Sequence, residues 1–240
     1  MEQPLIRVKN IKKIYNPGEN EVRALDGVSL DIHPGEFVAI VGHSGSGKST
    51  LMNMLGCLDV PTSGKYYLHG QDVSELEDNQ LSEIRNKELG FIFQGFNLIS
   101  NLDARGNVEL PLIYRRLDKA SRRKLAEEAL RKVGLGERMN HKPSEMSGGQ
   151  QQRVAIARAI AARPPVILAD EPTGNLDSKS SEDIMKILMA LSRSGRTVII
   201  ITHDDDIAKQ VKRVIRIKDG KIEKDYLNEN GQSELGEREE

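Results

Sequence analysis

The chain has 240 residues, of which 38% are hydrophobic and 30% are charged. This length supports one large α/β domain with an inserted lobe. Lys and Arg number 35 against 36 Asp and Glu, so the net charge of -1 excludes a global basic field for nucleic acid, and we expect no nucleic-acid partner. The single cysteine, Cys57, excludes a disulfide framework and a multi-cysteine zinc site, and it fits a reducing compartment.

No apolar run approaches the roughly 18 to 20 residues that a membrane helix needs. The first residues lack the continuous apolar stretch of a secretory signal. We therefore expect a cytoplasmic protein that reaches a membrane only through a partner.

The first part of the chain alternates apolar and polar residues, which predicts strands. An apolar strand over 36–41 leads into a glycine-rich loop and a helix that starts near Lys48. The other predicted strands are 5–9, 24–32, 66–69 and 89–93, with a turn at Asn16-Pro17-Gly18.

The character becomes helical over 106–138, where the apolar stripe of one helix is Leu125, Ala129, Leu130 and Val133. Basic residues outnumber acidic ones over 115–132. A solvated helical face explains this excess, and an anionic partner such as lipid headgroups is the alternative.

A strand and helix alternation then resumes. The predicted elements are a helix over 150–162, a strand over 166–170, an amphipathic helix over 178–193, a strand over 196–202, and a hairpin over 215–224 that turns at Asp219-Gly220. The polar stretch after Tyr226 predicts a disordered acidic tail.

A phosphate-binding loop follows the strand over 36–41. The pattern G-x-x-x-x-G-K-[ST] is met by Gly42, His43, Ser44, Gly45, Ser46, Gly47, Lys48 and Ser49, and Thr50 comes next. Glycines let backbone N–H groups turn toward an anion, and the helix N-terminus adds its dipole. Lys48 would meet the β- and γ-phosphates, and Ser49 would offer a hydroxyl to Mg²⁺. The loop predicts a nucleoside triphosphate site, without saying which triphosphate.

Two carboxylates, Asp170 and Glu171, end the apolar strand over 166–170. Ligands gather at the carboxyl edge of α/β sheets. We expect Asp170 to hold Mg²⁺ through water and Glu171 to act as the general base on the attacking water.

A second anion site is predicted where Met146-Ser147-Gly148-Gly149-Gln150 opens a helix, since consecutive glycines at a helix N-terminus bind anions and Ser147 adds a hydroxyl donor. With the phosphate loop and the paired carboxylates, this stretch resembles the ATP-binding subunits of ABC transporters, whose signature reads LSGGQ. Met146 replaces the leading leucine, a swap that nearly conserves volume.

The resemblance covers residues 4–226 and implies a single ABC ATPase cassette. The implied fold is α/β, a P-loop NTPase core of the RecA type with an N-terminal antiparallel β-subdomain and an inserted helical subdomain. The core and β-subdomain would span 4–94 and 146–226, the helical subdomain about 95–145, and the tail 227–240.

The family pattern also implies roles for single residues. Tyr15 matches the aromatic residue that stacks on adenine, although a core or turn tyrosine is an alternative. Gln94 matches the glutamine that reaches Mg²⁺ and the attacking water. His203 matches the switch histidine at the γ-phosphate. The stretch Gly174-Asn175-Leu176-Asp177 matches the loop that crosses between protomers, and Asp177 could cap a helix as well.

In the family, two cassettes form a head-to-tail dimer around two ATP molecules. The resemblance therefore implies a homodimer on ATP binding, with the second protomer contributing Ser147, Gly148, Gly149, Gln150 and Asp177. Mg²⁺ would be held by Ser49, Gln94 and Asp170, and the catalytic residues would be Lys48, Gln94, Glu171 and His203.

Within the family, the segments GCLDVPTSGKYYLHGQDVS and LADEPTGNLDS resemble the MacB-type and lipoprotein-release (LolD-type) ATPases. The resemblance implies membrane permease subunits, a periplasmic or extracytoplasmic adaptor, and a place at the inner face of the cell membrane. Two departures, Gly95 and Ala104-Arg105-Gly106, lie beside the helical lobe and bear on the identity of the partner. Phe96, Leu98 and Ile99 either line a groove for a partner helix or belong to the core.

Three other classes of protein share some of these motifs. A non-transporting ATPase that regulates cell-wall enzymes, like FtsE, has the same residues. Soluble chromosome- or ribosome-type ABC ATPases carry a long coiled coil or two cassettes, which this sequence lacks. A P-loop kinase or GTPase is disfavoured by the signature and by the lack of an Asn-Lys-x-Asp motif.

Overall fold

The computed structural model describes residues 3–18 and 20–228. Ten strands are described: β1 (Ile6–Tyr15), β2 (Val22–Ile32), β3 (Phe37–Val41), β4 (Ser63–Leu68), β5 (Gln71–Asp72), β6 (Leu89–Ile92), β7 (Val166–Asp170), β8 (Thr197–Thr202), β9 (Arg213–Lys218) and β10 (Lys221–Leu227). The α-helices described are α1 (Lys48–Leu55), α2 (Asp78–Glu88), α3 (Ala104–Tyr114), α4 (Lys119–Lys132), α5 (Gly148–Ala161), α6 (Ser178–Arg193) and α7 (Asp205–Lys209). Short 3-10 helices lie at Gly136–Arg138 and Pro143–Glu145.

The chain divides into two compact units. The first unit consists of Met1–Ser82 and Thr197–Glu240, and the second unit is Glu83–Arg196. The division predicted from the family pattern, with a helical subdomain at about 95–145, stays a prediction.

The first unit contains two sheets. An antiparallel sheet has the strand order β2-β1-β4-β5, as expected for the N-terminal β-rich segment. In the other, β3 lies between β8 and β9 and is parallel to both, and β10 pairs with β9 as a hairpin. All five residues of β3 are buried, because a parallel strand in the middle of a sheet is covered on both faces.

The second unit has a parallel pair of strands, β6 and β7, and four long helices. Helices α3 and α4 pack on each other, and both pack on α5. Small alanines of α5 are fully buried, which allows close helix packing: Ala155 and Ala157 are both 0% exposed. Among the described residues, no helix combines the length and the apolar character needed to cross a bilayer.

Most predicted elements are confirmed, and the differences have local causes. Helix α2 was not predicted, because Leu81 is its one buried residue and no apolar stripe marks it. Helix α7 was not predicted either, since five residues are too few for a visible period. Strand β10 runs to Leu227, one residue into the predicted tail, and residues 229–240 lie outside the described range.

Candidate nucleotide-binding site

The phosphate loop lies between β3, which ends at Val41, and α1, which begins at Lys48. Gly45 and Gly47 have φ of +78° and +102°, in the region that favours glycine. A Cβ on Gly47 would lie 2.5 Å from the carbonyl oxygen of Ala24, so no larger residue fits. The predicted loop is therefore held in its anion-binding shape by its glycines.

Lys48 is 8% exposed, and its ammonium group lies inside this loop. Its Nζ donates to the carbonyl oxygens of Gly42 and His43, at 2.7 and 2.9 Å. No carboxylate in the described part of the chain pairs with it. A buried cation that has only neutral acceptors leaves positive charge for an incoming anion.

The start of α1 adds to this positive character. The N-cap residue Gly47 offers no side-chain cap, and the first turn carries no acidic residue. Ser46 Oγ is buried without a hydrogen-bond partner, whereas Ser49 is exposed at the first turn and Thr50 is half-buried. The orphaned hydroxyl and the uncapped helix end fit an anionic ligand.

His203 directly follows β8, and this places it beside the phosphate loop. Val41 and Thr202 are register partners in the parallel pair of β3 and β8, so the two strands end at the same edge of the sheet. His203 is exposed there. The structure thus brings together the predicted loop and the predicted switch histidine.

Tyr15 ends β1 and is 37% exposed, so the alternative of a core tyrosine is wrong. Its hydroxyl donates to Asp59 Oδ2 at 2.9 Å, and Lys13 Nζ lies 5.0 Å from the ring centroid. Burial and the Asp59 hydrogen bond raise the pKa of the Tyr15 phenol. Because Lys13 covers one face of the ring, a base could stack only on the other face.

In the second unit, β7 ends at Asp170 and the next residue, Glu171, has a φ of +44°. A left-handed backbone is costly for glutamate, and the α conformation is already disfavoured before Pro172. The carbonyl oxygen of Pro172 accepts a hydrogen bond of 2.6 Å from Nε2 of Gln152, which is fully buried. This bond helps to fix the turn that carries Glu171.

Gln94 contacts the loop that follows Glu171. Its Nε2 lies 3.5 Å from Asn175 Oδ1, and Asn175 Nδ2 donates to the carbonyl oxygen of Gln94 at 3.1 Å. A Cβ on Gly174 would lie 2.8 Å from Gln94 Nε2. The structure therefore brings Gln94 together with the predicted inter-protomer loop of the same chain.

The signature residues form the N-terminus of α5. Ser147 is the N-cap, its Oγ accepts from the amide of Gln150 at 3.3 Å, and Gln150 Oε1 accepts from the amide of Ser147 at 3.0 Å. The hydroxyl proton of Ser147 can still be donated to an anion. The first turn carries no acidic residue, so the helix end keeps its positive character.

Asp177 caps α6, as the alternative role predicted. Its two carboxylate oxygens accept from the amide and the hydroxyl of Ser180, at 2.9 and 2.7 Å. A Cβ on Gly149 would lie 2.6 Å from Ser180 Oγ, and a Cβ on Gly148 would lie 3.4 Å from Leu176. The signature glycines thus allow the inter-protomer loop to pack on the end of α5.

We expect Gly149→Ala to lower the free energy of unfolding by about 1 kcal/mol. Overpacking against Ser180 costs about 1–3 kcal/mol, while the helix propensity of alanine offsets about 1 kcal/mol. Urea unfolding measures the change. In a double-mutant cycle, Gly149→Ala should cost less in a Ser180→Gly background, which lacks the contacting atoms, than in the parent. Equal stability of Gly149→Ala and the parent would contradict this packing.

A second prediction concerns Asp177. The Ser180 hydrogen bonds hold the pKa of the Asp177 carboxyl below its ordinary value. The cap therefore stabilises α6 at pH values above the pKa of unfolded aspartate, and this stabilisation is lost as the pH falls through the lower folded pKa. NMR titration should show that Ser180→Ala raises the pKa of Asp177. The pKa of Asp118, which caps α4 and accepts from the hydroxyl of Ser121, should be unchanged, and a constant Asp177 pKa would contradict the prediction.

Some residues of these arrangements were missed by the sequence reasoning. Gln152, Asn175 and Asp59 each bond a predicted site residue or its neighbour. Gln152 could have been found as a glutamine on the buried face of α5. Asn175 lies in the predicted inter-protomer loop, but its contact with Gln94, like that of Asp59 with Tyr15, joins distant positions and gives no signal in the sequence.

The predicted ligands for Mg²⁺ are the hydroxyl of Ser49, the amide oxygen of Gln94 and the carboxylate of Asp170. Hard oxygen donors of this kind suit Mg²⁺, which usually takes few protein ligands and completes its shell with phosphates and waters. Within residues 3–18 and 20–228, no three His, Cys, Asp or Glu side chains gather as a metal site. The oxygen chemistry of these three side chains suits Mg²⁺, and their assembly around one ion stays a prediction.

Comparison with known proteins gives several relatives. The ABC transporter family model matches residues 25–174. The "Macrolide export ATP-binding/permease protein MacB" of Hyphomonas neptunium is 56% identical over 98% of this chain and 36% of its own length. The "Uncharacterized ABC transporter ATP-binding protein YknY" of Bacillus subtilis is 49% identical over 97% of this chain and 100% of its own length. The chain spans about a third of the length of the MacB relatives that it matches.

Two solved structures show the same fold. The "Dimeric structure of a post-hydrolysis state of the ATP-binding cassette MJ0796 bound to ADP and Pi" has a TM-score of 0.85 at 48% identity, and the match covers 92% of this chain and 98% of that one. The "Structure of cbiO1 from clostridium perfringens" has a TM-score of 0.84 at 29% identity, covering 95% and 89%. The predicted fold class is confirmed.

Proposed function

Because this chain belongs to the ABC transporter family, as one of its ATP-binding cassettes, we propose that it binds and hydrolyses ATP to drive membrane permease subunits. The observation that carries the proposal is the phosphate loop. It holds a buried ammonium, an orphaned hydroxyl and an uncapped helix end in one small region. These features suit a polyphosphate and little else.

Each predicted residue has a task in this reaction. Lys48 and the loop amides hold the phosphates, and Tyr15 offers one ring face to the adenine. Glu171 accepts a proton from the attacking water, and Gln94 and His203 orient the water and the γ-phosphate. Bound Mg²⁺, held by Ser49, Gln94 and Asp170, would supply charge neutralisation at the phosphates.

The signature end of α5 is a second anion site, and we assign it to the ATP of a partner protomer. Support comes from the relative MJ0796, which was solved as a dimer. Ser147, Gly148, Gly149 and Gln150 would face that ATP, with Asp177 beside them. Closure of two protomers would complete the electrostatic environment of each γ-phosphate.

The role of α5 in the partner's site can be tested with Ser147→Glu. An added negative charge should repel phosphate at the signature end, while the phosphate loop of the same chain stays intact. We expect the variant to bind ATP with unchanged affinity, to lose hydrolysis and to remain a monomer with ATP. Ser63→Glu, at an exposed residue of β4, is the control. Loss of ATP affinity in Ser147→Glu would contradict a role in trans.

For the transporter partner, the support is the MacB relatives, which are named as ATP-binding/permease proteins. We propose a separate permease of the MacB or LolD type, engaged in export or mechanotransmission, with an extracytoplasmic adaptor, and a place at the inner face of the cell membrane. The alternatives, an FtsE-like regulator of cell-wall enzymes or a soluble ABC ATPase, are not favoured by these relatives. Co-purification of the tagged chain from detergent-solubilised membranes, followed by identification of the bound membrane protein, separates the three.

A further inference from the structure

Arg158 is a half-buried residue in the last turn of α5. Its Nη1 donates to the carbonyl oxygen of Asn97 at 2.5 Å, and its Nη2 donates to that of Phe96 at 2.9 Å. In the described part of the chain no carboxylate pairs with Arg158. A guanidinium drawn out of water toward neutral carbonyls is costly, so the arrangement needs a structural reason.

The backbone that Arg158 contacts supplies this reason. Phe96 and Asn97 have φ of +61° and +49°, two successive left-handed residues that are not glycine. Each costs free energy, and more so for a bulky residue such as phenylalanine. The planar fork of arginine reaches both carbonyl oxygens at once, which a single-point cation matches less well. Arg158 therefore stabilises a strained turn.

The strained turn begins two residues after Gln94. The Gln94 carbonyl is tied to Asn175, and the ring of Phe96 lies against the first turn of α5, where a Cβ on Gly148 would be 3.7 Å away. Phe96 thus contacts α5 twice, with its ring at the first turn and with its carbonyl oxygen at Arg158 in the last turn. Any displacement of α5 would carry the segment over 94–97 with it.

We propose that Arg158 is a positioning residue for Gln94, which couples the place of this glutamine to the signature helix. The inference rests on the proposed function, since Gln94 acts there in ATP hydrolysis. When the anion-binding end of α5 binds a nucleotide, the guanidinium of Arg158 keeps the position of Gln94 fixed relative to that helix. Arg158 itself touches no substrate.

The test measures the kinetics of ATP hydrolysis for Arg158→Ala and Arg158→Lys. Misplacement of a catalytic group by about 1 Å can cost 10²-fold, so we expect kcat to fall by at least about 10-fold in Arg158→Ala, with KM for ATP unchanged. The kcat of Arg158→Lys should lie between those of the parent and Arg158→Ala. Arg163→Ala, which loses an exposed ion pair with Glu128, is the control and should keep the parental kcat.

Two further readouts separate positioning from a general effect on folding. Hydrogen exchange of the Phe96 and Asn97 amides, which bond Phe93 and Gly95, should accelerate in both Arg158 variants, while β7 and α6 keep their protection. Guanidinium ion, added below the concentration that changes the melting temperature, should raise kcat of Arg158→Ala, and methylammonium should not.

The outcomes are distinct. Parental kcat in both Arg158 variants, or loss of protection over the whole chain in both, would overturn the inference. If the unaltered protein fails to hydrolyse ATP, the proposed function is wrong, and the exchange experiment alone then decides whether Arg158 holds the segment. Faster exchange confined to residues 94–99 supports it, and unchanged exchange overturns it.

Discussion

Glu171→Gln is expected to lower kcat for ATP hydrolysis by at least about 100-fold, because removal of a general base typically costs 10²–10⁴-fold. Glutamine has the same shape but cannot accept the proton of the attacking water. The left-handed turn at this position and its support by Gln152 should persist, since both involve the backbone of 171 and 172. ATP affinity should therefore be unchanged. Phosphate release under saturating ATP measures the loss.

The same variant tests the dimer. If two protomers close on ATP and hydrolysis reopens them, Glu171→Gln should double its mass in light scattering with ATP and not with ADP. Glu182→Gln, at an exposed residue of α6 paired with Lys186, should behave as the parent. Parental hydrolysis by Glu171→Gln would show that another group is the base. Lost hydrolysis without dimerisation would keep the role of Glu171 as the base and contradict stable closure of two copies on ATP.

Lys48→Met is expected to weaken ATP binding by about 10- to 100-fold, because hydrogen bonds to charged groups contribute about 1.5–3 kcal/mol. The effect should be largest for ATP and smaller for AMP, since the ammonium lies where the distal phosphates would bind. Methionine fills a similar volume in this buried position, so the fold should survive. Calorimetric titration with ATP, ADP and AMP gives the three affinities.

Folding and binding effects of Lys48→Met must be distinguished. Loss of Nζ leaves the carbonyls of Gly42 and His43 without this donor, so we expect a stability loss of about 1 kcal/mol. The control is Lys65→Met on β4, which breaks exposed ion pairs with Asp72 and Glu75. Equal ATP affinity in the parent and Lys48→Met would refute the assignment of the loop.

Local patterns predicted the parts of the site that are local in the chain. The loop from Gly42 to Ser49, the carboxylates after β7 and the helix opened by Ser147 each depend on a few adjacent residues. Their glycines act through backbone conformation, which the sequence alone can indicate. This is why the phosphate loop and the α5 N-terminus could be predicted without any structure.

Contacts between distant segments could not be predicted in this way. Gly149 lies against Ser180, Gln94 against Asn175, and Tyr15 against Asp59. Each contact depends on how separate elements pack, and no short pattern encodes it. The family resemblance supplied the roles of Tyr15, Gln94 and Asp177, but not the residues that hold them in place.

At position 171, stability and catalysis favour different residues. Glycine at this position would relieve a left-handed conformation that costs about 1–2 kcal/mol, so a chain selected for stability alone would favour glycine there. The glutamate persists only while its carboxylate is useful. In a relative that has lost hydrolysis but kept its fold, we expect glycine or asparagine at this position. The residue at this position in a relative then indicates whether that cassette still hydrolyses ATP.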